Sequence, residues 1–253
     1  LPKDIKLSFS TKKSKYICLH TPMENFAEGE ILLIDKPLDW TSFDVVNKIK
    51  YQLKRKFGAI KIGHAGTLDP RATGLLIVCT GKKTKIIDSI QQQKKVYSGT
   101  IFLGAETESY DTEKPAINHQ DIKHITEQNI LDCAATFLGE QLQFPPIHSA
   151  VKVNGKRAYK LARAGQEVEV KPKLVHIYQF KIKKIELPYI HFYIECSKGT
   201  YIRSIAHDFG KKLQNAAYLL SLRREKIGEY DVEHAQTVEN VCTTINNHAV
   251  TII

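Results

Sequence analysis

The chain has 253 residues, 42% of them hydrophobic, and 37 lysines and arginines against 27 acidic residues give a formal net charge of +10. This supports one large core or two intimately joined lobes, and the charge favours a polyanionic partner because clustered cations gain affinity by releasing counterions from phosphates. Five cysteines (Cys18, Cys79, Cys133, Cys196, Cys242) without a C-x-x-C pair argue against a disulfide framework or zinc site, and no apolar run approaches the ~20 residues of a membrane span, so a reduced, cytoplasmic protein is expected.

Residues 1–25 lack the apolar core and cleavage site of a signal peptide and are expected to be a flexible N-terminal extension, or to lie upstream of the natural start at Met23. Glu30 to Asp35 reads as a buried strand ending at Lys36-Pro37. Thr41 or Ser42 then caps a helix with Val46, Ile49, Leu53 and Phe57 on its apolar face and Lys48, Lys50, Lys54, Arg55 and Lys56 outside. The stretch KIGHAGTLDPRATGLLIVCT, Lys61 to Thr80, is dense in Gly63, Gly66, Pro70 and Gly74. It reads as a tight turn that presents Asp69 and feeds a buried strand through Leu75 to Val78. By itself, a carboxylate in such a turn is most simply a turn cap.

Lys82 to Gln91 is expected as a short helix. Lys95 to Gly104 alternates as a strand, with Tyr97 near its start. A polar, acidic connection, GAETESYDTEKP, leads to a helix from Thr126 to Leu138, which Gly139 is expected to end. Phe144-Pro145-Pro146 is a stiff loop. Asn154-Gly155 marks a tight turn between a strand and a short helix, Ala158 to Ala164, stopped by Gly165. Leu174 to Leu187 and Tyr189 to Ser197 form an antiparallel pair. Thr200 is expected to cap the next helix; a strand over Leu219 to Tyr230 and a helix over Thr237 to Ile245 complete the chain. The fold expected is α+β, a mixed, largely antiparallel sheet with helices packed on one face and a cleft for a nucleic acid on the other.

Several chemistries are unsupported. In GLLIVCTGKKT, six residues separate Gly74 and Gly81 and Lys83 follows the lysine, so the geometry of a phosphate-binding P-loop is absent. No H-E-x-x-H, no His/Cys metal spacing and no G-x-S-x-G occur, and neither a metal nor a cofactor is expected. What remains is Asp69 on a rigid turn, Tyr97 on a strand, and SKGTYIR, which places Tyr201 and Arg203 at the start of a helix. An arginine beside Asp69 would hold the carboxylate ionised by depressing its pKa, and a nearby aromatic ring would offer a stacking surface for a base.

Four ordered stretches, LLIDKPLDWTSFDVVN, GHAGTLDPRATGLL, KVYSGTIFLG and CSKGTYIRSIAHDFG followed by LLSLRR, resemble the TruB-type tRNA pseudouridine synthases; PPIHSAVKVNGKRAYKLARAG matches too. The resemblance covers roughly Glu30 to Thr237 and implies isomerisation of uridine to pseudouridine at position 55 of the tRNA T loop, with base flipping, no cofactor and no metal. It implies Asp69 as the catalytic aspartate, Arg203 as its ion-pair partner, and Tyr97 as the ring on the target base and a candidate for proton transfer. His64 would contact the RNA, Tyr201 and Leu222 would line the uridine pocket, and Lys36-Pro37 would support it from behind.

Asp39 stands where the family usually has glycine, and aspartate tolerates a left-handed turn better than most residues. Residues 26–253 would be the catalytic domain, with no room for a full C-terminal PUA domain, so RNA would be gripped by the domain's own basic face, including Lys82, Lys83, Lys85 and Arg157. A monomer acting on the T-arm stem-loop is expected. The alternatives are a noncatalytic RNA-binding or RNA-folding module, and a guide-dependent, dyskerin-like synthase.

Overall fold

A computed structural model describes residues 26–146 and 170–247, with the backbone alone of 152–153 and 156–157. The expected N-terminal extension and the expected helix over Ala158 to Ala164 lie outside the described residues.

Strand β3 (Ala72–Thr80) is the spine of the sheet. It is apolar on both sides because both are covered. Leu76 and Val78 pack with Leu32 and Ile34 of β1 (Ile31–Lys36), with Val45, Ile49 and Leu53 of α1 (Ser42–Phe57), and with Val241 and Ile245 of α5 (Val238–Asn247). Leu75, Ile77 and Cys79 meet Ile90, Ile227 and Tyr230 on the opposite side. Thr41 settles the start of α1: its hydroxyl accepts from the Asp44 backbone N–H, and the Asp44 carboxylate accepts from Thr41 N–H in return, a complete capping box.

The chain continues through β2 (Ile62–His64), β3, a 3-10 turn (Gly81–Ile86), α2 (Ile87–Gln92) and β4 (Lys95–Leu103). Next come α3 (Glu127–Ala135), β5 (Gly139–Gln143), and the short strands β6 (Lys152–Val153) and β7 (Lys156–Arg157), which pair with each other. The turn expected at Asn154-Gly155 thus falls between two paired strands. After β8 (Lys173–Glu186) and β9 (Tyr189–Cys196) come α4 (Ile202–Lys212), β10 (Ala217–Ile227), β11 (Tyr230–Asp231) and β12 (Gln236–Thr237).

The main sheet runs β12-β1-β3-β10-β4-β9-β8-β5, with β2 on β3 and β11 on β10. Among the described strands, β1 with β12 and β3 with β10 pair in parallel and the other pairs are antiparallel, so the fold is α+β with a mixed, largely antiparallel sheet. Ile130 and Phe137, from α3 and the turn after it, and Ile205 and Phe209 of α4 build the second core, against Ile101 of β4 and Phe192 and Ile194 of β9.

Three local expectations are corrected. The third helix stops at Ala135, and Gly139, at φ 89°, opens β5, a short polar edge strand whose sequence GEQLQ carries no alternating signal. Thr200 does not cap α4: its hydroxyl donates to the Ser197 carbonyl, and Tyr201 occupies the cap position. The single strand expected over Leu219 to Tyr230 is a hairpin of β10 and β11, turned at Gly228 with φ 55°.

In the middle of β4, a Cβ on Gly99 would lie 2.3 Å from the Ser221 carbonyl oxygen and 2.8 Å from Phe192 Cζ, where β10 shifts register between Leu219 and Ser221. Gly99→Ala is expected to cost about 1–3 kcal/mol by overpacking, read as a lower urea midpoint at unchanged m-value.

Candidate active site

The turn between β2 and β3 has no ladder of its own, and groups from elsewhere hold its carbonyls one after another. Arg224, on β10 and 1% exposed, donates from Nη2 to Gly66 O at 3.0 Å, from Nη1 to Thr67 O at 3.3 Å and from Nε to Leu75 O at 2.8 Å. Buried Ser42 accepts from Leu68 N–H at 2.8 Å and donates to Leu68 O at 3.1 Å. The Ala72 N–H donates to Asp69 O at 3.1 Å and the Asp39 N–H to Pro70 O at 2.9 Å. Fixing the carbonyls of residues 66–70 in this way fixes the direction of the Asp69 side chain.

Asp39 adopts φ 64°, the left-handed turn anticipated from its glycine-like position, and its carboxylate pairs with Arg71 at 2.8 Å. Lys36 is fully buried; its ammonium donates to Pro37 O at 2.8 Å, Trp40 O at 2.6 Å and Pro70 O at 3.4 Å. Burial pushes its pKa down to about 8, against the pull of the Asp69 charge. Lys36 and Pro37 therefore stand behind the Asp69–Pro70 corner and outside the cavity lining.

Asp69 Oδ2 is 2.9 Å from Arg203 Nη2; the aspartate side chain is 42% exposed and the arginine 5%. Arg203 also reaches Asp111 Oδ2 at 3.4 Å and donates to Ser109 O at 3.3 Å through Nη1. One cation thus serves two carboxylates. The net effect on Asp69 is opposite to the one expected from a lone arginine. Desolvation by the cleft walls pushes its pKa up; Arg203 opposes this, and Asp111 and Glu113 add to the rise. Asp111 belongs to the acidic connection after β4, where its composition resembled a solvated loop. In the structure it is buried and accepts from Ser109 Oγ at 2.7 Å and Glu113 N–H at 2.9 Å.

A cavity of about 590 Å³ opens beside the N-terminus of α4, and Asp69, Tyr97, Tyr201, Arg203 and Leu222 line it together with Lys95, Lys173, Lys198 and Arg224. Tyr97 also belongs to the α3/α4 core, so the cleft borders the helix-covered side of the sheet there. Burial pushes the Tyr97 phenol up, partly offset by the charge and hydrogen bond of Arg224, so the ring keeps its proton. Tyr201 is fastened by Gln143 of β5: its N–H donates to Gln143 Oε1 at 2.7 Å and its carbonyl accepts from Gln143 Nε2 at 3.0 Å.

His64 ends β2, half-buried and outside the cavity lining, and burial followed by the Arg224 charge holds its pKa below the usual imidazole range. Sequence reasoning missed Arg224, Ser42, Asp111 and Gln143 as parts of the site. Ser42 and Arg224 lie inside the quoted motifs and could have been flagged there; Asp111 and Gln143 carry no local signal. Among the described residues no group of three or more His, Cys, Asp or Glu is arranged to hold a metal ion.

Arg224→Met is expected to strand three carbonyls and to cost about 3 kcal/mol or more, because each buried acceptor left unpaired costs about 1–3 kcal/mol. Thermal unfolding of this variant beside Lys226→Met, a surface change, is the measurement.

The architecture is shared with solved structures. One chain from a crystal structure of a Cbf5–Nop10–Gar1 complex superposes with a TM-score of 0.64 at 27% identity, over 86% of this chain and 54% of that one. In sequence, residues 54–202 match the TruB family pseudouridylate synthase N-terminal domain. A tRNA pseudouridine synthase B of Chlorobaculum tepidum is 52% identical over 223 residues, 88% of this chain and 93% of the relative. One of the same name from Flavobacterium johnsoniae is 52% identical over 215 residues, 84% of this chain and 94% of the relative. The chain belongs to the TruB family of pseudouridylate synthases.

Proposed function

We propose that the protein isomerises uridine to pseudouridine in tRNA, at position 55 of the T loop, with Asp69 as the reacting carboxylate. The observation that carries the reading is the convergence of Asp69, its partner Arg203 at 2.9 Å and the Tyr97 ring on one cavity large enough for an extruded base. The relatives' shared name supplies the substrate class.

In the reaction the C1′–N1 bond breaks, the uracil turns while held, and a C1′–C5 bond forms. C5 loses a proton and N1 gains one, so the product is an isomer and no redox partner enters. As nucleophile toward sugar or base, or as base toward a sugar proton, Asp69 must be an anion, and Arg203 orients it. Tyr97 stacks on the base and is the candidate for the final proton transfer, the neutral phenol passing its own proton on toward N1 as its oxygen takes the one that leaves C5. Extrusion costs a few kcal/mol, offset by stacking worth about 1–3 kcal/mol and by phosphate contacts. His64 contacts the RNA, Tyr201 and Leu222 enclose the uracil, and Lys36-Pro37 braces the turn. Lys82, Lys83, Lys85 and Arg157, with Lys173 and Lys198 at the cavity, grip the backbone. The domain 26–253 is taken to act as a cytoplasmic monomer.

The test is incubation of the purified chain with an unmodified T-arm stem-loop, followed by chemical mapping of pseudouridine. Product without added RNA guide separates this reading from a guide-dependent synthase and from a noncatalytic RNA-binding module; no product overturns it. Binding should weaken steeply with salt, log K falling with log salt by roughly 0.7–0.9 per phosphate contact, and a flat response would remove the basic surface as the RNA site.

A further inference from the structure

Helix α4 grips the loop after β4 twice, one helical turn apart. Arg203 Nη1 takes the Ser109 carbonyl at 3.3 Å and the Asp111 carboxylate at 3.4 Å. Between those two residues, Tyr110 lays its ring on the imidazole of His207, with centroids 3.8 Å apart and planes 10° apart. Residues 203 and 207 are at i and i+4, so both grips come from one helix face.

Tyr110 has φ 62°, a left-handed conformation that a bulky side chain enters only under constraint. Its backbone is tied on both sides: the N–H donates to Thr107 O at 3.1 Å, and the carbonyl accepts from Leu219 N–H at 2.9 Å. Burial pushes His207 below the usual imidazole range, so a neutral ring forms the stack, with the Glu106 carboxylate 3.9 Å from its Nδ1.

We propose that Tyr110 and His207 are positioning residues for the reaction, their stack holding the left-handed turn that presents Ser109 O and Asp111 to Arg203. This rests on the reading of Asp69 as the reacting carboxylate and Arg203 as its orienting partner. The reason is directional. The Ser109 carbonyl and the Asp111 side chain lie on either side of residue 110, so a change of φ there swings one relative to the other. Arg203 then loses one of its anchors on the loop, and the angle it imposes on Asp69 relaxes. Ordinary core packing between the two rings would stabilise the fold without affecting that angle.

Steady-state kinetics on the T-arm stem-loop separates these roles. Tyr110→Phe keeps the ring, Tyr110→Gly accepts the backbone angle but removes the stack, and His207→Ala removes the other half. Tyr110→Gly and His207→Ala are expected to lower kcat about 10- to 100-fold, the scale of an ångström-sized misplacement, with KM nearly unchanged. Tyr110→Phe and His207→Phe should restore most of kcat. Wild-type kcat in Tyr110→Gly, even with a lowered Tm, overturns the proposal, as does a Tyr110→Phe variant as slow as Tyr110→Gly. Asp69→Asn in the same assay distinguishes the failures: turnover there sinks the underlying reading, whereas an inactive Asp69→Asn beside a fully active Tyr110→Gly sinks this inference alone.

Discussion

Asp69→Asn is expected to give a folded protein that binds the T-arm stem-loop and makes no measurable pseudouridine, a loss of at least about 10,000-fold in turnover. Asparagine keeps the shape and the contact with Arg203 but can be neither nucleophile nor base. The same substitution should not lower stability. Because burial raises the Asp69 pKa above the ordinary carboxylate range, the folded state holds its proton at pH values where the unfolded chain has lost it. Stability from this group therefore falls as pH rises from the unfolded value, about 3.9, through the raised folded value, and the cost persists at neutral pH. Asp69→Asn removes that cost, so its Tm at pH 7 should equal or exceed that of the native chain, and the two should converge in acid. For the native enzyme, the acid limb of turnover should fall above the usual carboxylate range. Wild-type turnover in Asp69→Asn would refute the mechanism, and a large drop in its Tm would refute the electrostatic account.

Arg203→Ala is expected to destabilise the fold strongly. It removes the cation that Asp69 and Asp111 share, and breaking a buried pair in this way costs about 3–5 kcal/mol. Turnover should be lost, with a smaller loss of RNA binding; equal loss of both would make Arg203 a plain phosphate contact. Arg203→Lys should recover part of the stability and little of the turnover, because a single ammonium cannot reproduce the planar fork that reaches Asp69 through one nitrogen and Asp111 through the other. Adding Asp111→Asn to Arg203→Ala should recover stability by removing one stranded charge, while activity stays absent. Denaturant melts and single-turnover assays on the native chain, Arg203→Ala, Asp111→Asn and the double variant complete the cycle.

Much of the fold was legible because its signals are local. Period-two alternation marked β4, the stretches of β8 and β9 read as an antiparallel pair, and a cap at Thr41 or Ser42 marked the start of α1. Where a local signal had two readings, it misled. Gly139 looked like a helix stop and instead starts an edge strand, and Thr200 looked like a cap although its hydroxyl turns back to Ser197. Among the described residues the polar GEQLQ strand pairs with β8 alone, and Glu140 and Leu142 are exposed, so no hydrophobic pattern was needed to hold it.

For the site, local sequence dictated the turn and the carboxylate it presents. The glycines, Pro70 and Asp69 had to make a rigid corner because their backbone limits allow little else, and Asp39 could take a left-handed angle for the same kind of reason. The tertiary structure alone decided what surrounds that corner. Arg224 and Ser42 hold its carbonyls from strands and helices distant in the chain, Asp111 joins Arg203 from an acidic loop, and burial reverses the expected direction of the Asp69 pKa. Dihedral limits act within a few residues and can be read from them. Desolvation and ion pairing depend on which distant segments exclude water from a carboxylate, and that is set only when the sheet has closed around it.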